Sequence, residues 1–127
     1  MKIPKYHRGS IWYCLWYTEY DKGITAGDRP VLIISNDKFN TYSGVVNCLP
    51  ITTSIKNSPV HIEIELKKRS QIQCEQIYTV PQYRLIKFIK ELDDIKLQEV
   101  ERKLLFQLDL VQSPESNITT VEVNLDV

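Results

Sequence analysis

From Val60 to Leu66 apolar and polar side chains alternate without a break. Val60, Ile62, Ile64 and Leu66 stand on one side, His61, Glu63 and Glu65 on the other. Only an extended strand, one face on a core and one toward solvent, sorts such a pattern. The spacing therefore predicts a half-buried strand with His61 exposed among the two glutamates, and the rest of the chain must supply a sheet for it. Ile11–Tyr17, Pro30–Ser35, Val45–Thr52, Gln71–Ile77 and Phe88–Leu92 read as further short strands, separated by polar turns. Pro50 implies an edge or a bulge in the third of these. Asn36 and Asp37 can cap a helical turn over Lys38–Thr41, and Val80–Leu85 reads as a second turn. Asp93 or Asp94 caps a helix to about Leu108, with Leu97, Val100, Leu104 and Leu108 on one face. Strands first and one helix last, without βαβ alternation, describe a mainly β fold: a small barrel with a C-terminal helix.

At 127 residues the chain is long enough for a single core. Residues 1–110 carry the barrel pattern. Residues 111–127 form an acidic tail in which Val121, Val123, Leu125 and Val127 alternate with polar residues as an extra strand would. The sixteen basic residues all precede residue 107, together with twelve acidic ones, so the body carries +4 and the remainder −4. A balanced total argues against a protein that coats nucleic acid, and the asymmetry favours one locally positive site. No apolar run reaches the ~18 residues of a membrane span and no signal-peptide pattern opens the chain, so no membrane association and a cytoplasmic location are expected. Cys14, Cys48 and Cys74 are widely spaced in apolar surroundings. They read as core residues, not as a disulfide framework or a zinc site.

Three places could carry chemistry. Arg29 stands between Gly27-Asp28 and Pro30, at the lip of the run Val31-Leu32-Ile33-Ile34. A guanidinium held there is a permanently charged fork suited to a phosphate, although a surface ion pair would leave the same trace. Thr52, Thr53 and Ser54 put hydroxyls at a strand end, as donors to phosphate oxygens or as simple caps. Glu75 beside Gln76 offers a carboxylate and an amide, either a general base with a clamp or a solvated pair. His7 is a weaker candidate base, and Tyr17, Tyr20 and Tyr78 are candidate stacking platforms for bases.

The strings Arg8-Gly9-Ser10-Ile11, Gly27-Asp28-Arg29-Pro30, Ser35-Asn36-Asp37, Pro50-Ile51-Thr52 and Cys74-Glu75-Gln76-Ile77-Tyr78-Thr79-Val80 occur in the order and spacing of MazF/PemK-type toxins. The step from Leu92-Asp93 into a helix carrying Val100-Glu101 fits as well, and the resemblance covers about residues 8–110. It implies an SH3-related CcdB/PemK-type barrel, usually homodimeric, that cleaves single-stranded mRNA without a metal or other cofactor and is restrained by a cognate antitoxin. Arg29 and Thr52 fall on the catalytic arginine and threonine of that family, and Glu75-Gln76 on its acidic-Gln pair. Thr53, Ser54, Gln76, Tyr78 and Tyr20 are then expected to meet RNA, with Glu75 the base. The sequence departs from the family pattern at Ser10, Gln73 and Tyr78, where members often carry charge. Two other readings share the scaffold: a CcdB-like gyrase poison, and a degenerate module that binds RNA or antitoxin without cutting.

Overall fold

A computed structural model describes residues 2–16 and 28–110. Seven strands form one curled antiparallel sheet: β1 (Ser10–Leu15), β2 (Asp28–Ile33), β3 (Val45–Thr52), β4 (His61–Glu65), β5 (Arg69–Gln73), β6 (Tyr78–Pro81) and β7 (Leu85–Glu91). The order is β4-β5-β3-β2-β1-β7, with β6 on β3 beside β5. The expected mainly β fold with a terminal helix is therefore present, as a half-barrel whose outer strands β4 and β7 do not pair. Tyr17, Tyr20 and the tail 111–127 lie outside the described residues.

Alternation sorts two cores. Ile11, Leu32, Leu49, Ile51, Ile62, Ile64 and Ile72 fill the inside of the curl together with Leu92 and Val100. Trp12, Cys14, Val31, Ile33, Val46, Cys48, Val80 and Leu85 form a second cluster. All three cysteines are free and fully buried. Burial raises the thiols of Cys48 and Cys74 to about 12 and that of Cys14 to about 11. None is a thiolate at neutral pH, so cysteine chemistry has no nucleophile here.

Helix α1 (Asp37–Ser43) starts where the side chain of Asn36 accepts from the N–H of Phe39 at 2.8 Å. It stops at Gly44, whose φ of 74° few other residues adopt. Helix α2 (Asp94–Gln107) is capped by Asp93, which accepts from the Lys96 N–H at 2.9 Å. Val100 is its one buried residue, and Leu97 and Leu104 pack partly on the inner core. Leu108, expected on that face, lies past the last turn and is exposed.

Three strand readings are corrected. The fifth strand ends at Gln73, because the chain turns there, with the Gln76 N–H bonded to the Gln73 carbonyl at 3.1 Å. It resumes as β6 farther along β3. The turn expected over Val80–Leu85 is a single 3-10 turn at Gln82–Arg84, and β7 begins at Leu85. Pro50 is buried in a central strand, not an edge. It occupies the gap where the β6 ladder has ended at Cys48 and the β5 ladder has not begun at Ile51, so its missing N–H interrupts no bond there.

The Arg8-Gly9-Ser10 string is structural. The Arg8 N–H donates to Asp37 at 2.7 Å, its Nε–H to the Ile34 carbonyl at 3.0 Å, and its guanidinium pairs with Glu101 at 2.7 Å. One residue thus ties α1, the end of β2 and α2 together. Gly9 sits at φ 90°, where a Cβ would meet Leu97 at 3.3 Å.

Candidate active site

Register brings the candidate residues into one band. Cys14 pairs with Arg29, Val31 with Pro50 and Thr52 with Gln71. Extending the β2–β3 register by two residues sets Arg29 across from Thr52. Paired residues, and residues two apart on a strand, share a face. Trp16, Arg29, Thr52 and Gln71 therefore lie on one side of adjacent strands, at the end of the half-barrel where β2 starts and β3 stops. No sequence motif links these positions; the sheet does.

Arg29 is half-buried, its guanidinium carbon 5.2 Å from the Trp16 ring centre. It takes part in no ion pair among the described residues. Trp16 meets Tyr78 edge to face at 4.6 Å, and the Tyr78 hydroxyl donates to Gln76 Oε1 at 3.2 Å. Arg29, Tyr78 and Gln76, expected in one site, are thus joined through Trp16, which sequence reading did not single out. Arg84 precedes Leu85, which pairs with Cys14 opposite Arg29, so a second cation stands one residue from this rung.

The Thr52 hydroxyl oxygen accepts from the Ser54 N–H at 3.0 Å. That contact uses a lone pair and leaves the hydroxyl hydrogen to donate elsewhere. Thr53 and Ser54 are exposed just beyond. Thr53 and Pro30 also line an open cleft of about 560 Å3 between the β4–β5 turn and β7. Lys67, Lys68, Lys87 and Lys90 line it too, and none of the four forms an ion pair among the described residues.

Glu75, with Gln76, lies in the turn after β5, its side chain 38% exposed. Partial burial pushes its carboxyl up. Hydrogen bonds from His61, from its own backbone N–H and from Gln76, together with the charge of His61, outweigh that and hold it below the ordinary carboxylate range. His61 itself overturns the expectation from alternation: its side chain is only 4% exposed. Its Nδ1 lies 2.9 Å from Gln71 Oε1 and its Nε2 lies 2.9 Å from Glu75 Oε2. Glu75 thereby connects through His61 and Gln71 to the strand pair that carries Thr52.

His7 is not part of this group. It bonds to Glu91 and to the Pro4 carbonyl, beside the start of β1, whereas Arg29 is level with the end of β1. Among the described residues no three His, Cys, Asp or Glu side chains gather as metal ligands would, and no helix is long and apolar enough to cross a membrane.

Residues 7–108 match the family described as PemK-like, MazF-like toxin of type II toxin-antitoxin systems. The chain is 37% identical to endoribonuclease EndoA of Bacillus subtilis (strain 168) over 92 residues, 67% of this chain and 79% of that protein. Its fold is similar to that of a mycobacterial endoribonuclease solved with its cognate antitoxin, with a TM-score of 0.71 at 20% identity, covering 84% of this chain and 98% of the other. A MazE-MazF complex from Deinococcus radiodurans gives a TM-score of 0.71 at 20% identity, covering 85% and 98%.

Proposed function

Because the chain belongs to the PemK-like, MazF-like toxins of type II toxin–antitoxin systems, we propose that it is an endoribonuclease that cuts single-stranded mRNA at a short recognition motif. Its cognate antitoxin holds it in check, and it acts in the cytoplasm as a homodimer. The carrying observation is the β2–β3 register, which, carried two residues beyond Val31 and Pro50, sets Arg29 level with Thr52, in a chain 37% identical to an endoribonuclease.

The substrate supplies its own nucleophile, the ribose 2′-hydroxyl. Its oxygen forms a bond to phosphorus while the bond from phosphorus to the 5′-oxygen breaks. Glu75, kept ionised by the hydrogen bonds around it, accepts the 2′-hydroxyl proton. The Arg29 fork meets the growing charge on the phosphoryl oxygens, and the Thr52 hydroxyl hydrogen steadies a non-bridging oxygen. The departing 5′-oxygen develops its charge beside Arg29 and takes a proton from water. No step needs a metal or cofactor. Flanking bases stack on Tyr78 and Tyr20, and Gln76, Thr53 and Ser54 bond to them. Residues 1–110 make up the enzyme, and 111–127 are an appended acidic segment that moderates access to it.

Expression of the chain in a bacterial host, followed by mapping of RNA 5′ ends, tests the reading. Growth arrest with cuts at one motif is expected, and purified protein should leave a cyclic phosphate on the upstream fragment in the presence of chelator. Arrest without cleaved RNA, or inhibition of gyrase supercoiling, would overturn it.

A further inference from the structure

His61 has an enclosure that its surface position in β4 does not require. Gln71 meets the Lys56 peptide at two points: its Oε1 accepts from the Lys56 N–H at 3.1 Å and its Nε2 donates to the Lys56 carbonyl at 2.9 Å. This contact fixes which end of the amide is oxygen. The atom facing His61 Nδ1 at 2.9 Å is that oxygen, already an acceptor, so Nδ1 must carry a proton and donate it. On the other side of the ring, Nε2 faces a carboxylate oxygen at 2.9 Å. Two bare acceptors do not sit at that distance, so one proton lies between them. The chain Lys56–Gln71–His61–Glu75 thus runs from the loop that follows Thr52 to the carboxylate, each member holding the next.

We propose that His61 is the positioning residue of the Glu75 base, sharing one proton with Oε2 and anchored through Gln71 to the loop beyond Thr52. This rests on the reading of Glu75 as base. With the ring 4% exposed and the carboxylate 38% exposed, His61 cannot reach an RNA but Glu75 can. Oε2 is committed to the ring, leaving Oε1 to face the ribose. In the reaction Oε1 receives the 2′-hydroxyl proton while the Nδ1 proton stays on the ring, donated to Gln71 Oε1. Loop 53–59 and the Glu75 turn are thereby tied together through Gln71 and His61, which links the segment after Thr52 to the base.

Asn and Gln separate the two halves of the ring, because an Asn amide can donate near Nδ1 and a Gln amide near Nε2. Single-turnover cleavage of an RNA with a mapped cut site is the assay. His61→Asn should lose about 10²-fold in kcat, the scale of a misplaced reacting group, with KM unchanged. His61→Gln should stay within about tenfold of wild type, since it still holds Oε2. Adding His61→Asn to Glu75→Gln should slow the enzyme no further than Glu75→Gln alone. Wild-type kcat in His61→Asn with an impaired Glu75→Gln would overturn the role of His61 alone. Wild-type kcat in Glu75→Gln would instead overturn the base, and the shared proton would lose its purpose. In the unsubstituted protein, ring-nitrogen NMR should find Nδ1 of His61 protonated and protected from exchange; an Nδ1 without its proton would also refute the proposal.

Discussion

Replacing Arg29 by alanine separates the chemistry of the site from the stability of the fold. Among the described residues Arg29 makes no ion pair, and its aromatic contact is with the Trp16 ring at 5.2 Å. Losing such a contact costs about 0.5–1 kcal/mol. For a domain of this size that is a fall of roughly 2–8 °C in melting temperature, leaving the protein folded at 25 °C. Losing a preorganised donor to the phosphoryl oxygens costs about 3–4 kcal/mol of transition-state stabilisation, or about 10²–10³ in rate. The two effects differ severalfold, so rate and stability should part company. Arg29→Lys restores a charge but not a two-pronged donor, and should fall between alanine and wild type. Single-turnover cleavage beside a thermal melt measures both. An Arg29→Ala protein that cleaves within about tenfold of wild type would refute the reasoning, as would a rate loss explained by unfolding at the assay temperature.

Other outcomes follow from named contacts. Thr52→Val keeps the shape but removes the hydroxyl that accepts from Ser54 at 3.0 Å; cleavage should drop by about 10–10²-fold with the melting temperature changed by only a few degrees. The carboxyl of Glu75 is lowered from 4.5 in the fold. Its ionised form therefore persists below that value, and the acid limb of kcat/KM should fall off only under pH 4.5. The stability this ionisation contributes is present above the unfolded value and is lost as pH drops through the folded one. In Glu75→Gln the limb should vanish. Gly9→Ala forces a side chain to φ 90° against Leu97. It should cost about 1–3 kcal/mol, roughly 5–15 °C, without changing the rate at 25 °C.

The frame of the molecule could be read from the chain wherever local chemistry acts alone. The alternation over Val60–Leu66 gave the β4 facing of Ile62 and Ile64, and Asn36 and Asp93 marked both helix starts. The errors came where a distant segment decides. The end of β5 has no glycine or proline to announce it; the chain turns at Cys74 because β3 takes β6 as its next partner. Likewise nothing near His61 tells that a loop from before β4 folds back, puts the Lys56 peptide on Gln71, and encloses an outward-facing ring. That Arg29 and Thr52 come level on neighbouring strands was equally invisible to spacing, because it depends on strand register. Only the resemblance of the motifs joined those two residues in advance.

The outer strands of the half-barrel carry a consequence for handling and for the cell. Among the described residues β4 and β7 each pair along one side only, which leaves the other side as a template onto which another polypeptide could add. Lys67 and Lys68 just past β4, and Lys87 and Lys90 along β7, line the gap between the two strands, with Glu65 among them. Charged side chains along an exposed edge discourage such addition, so replacing these four lysines by apolar residues should make the protein aggregate more readily, as light scattering during concentration would read.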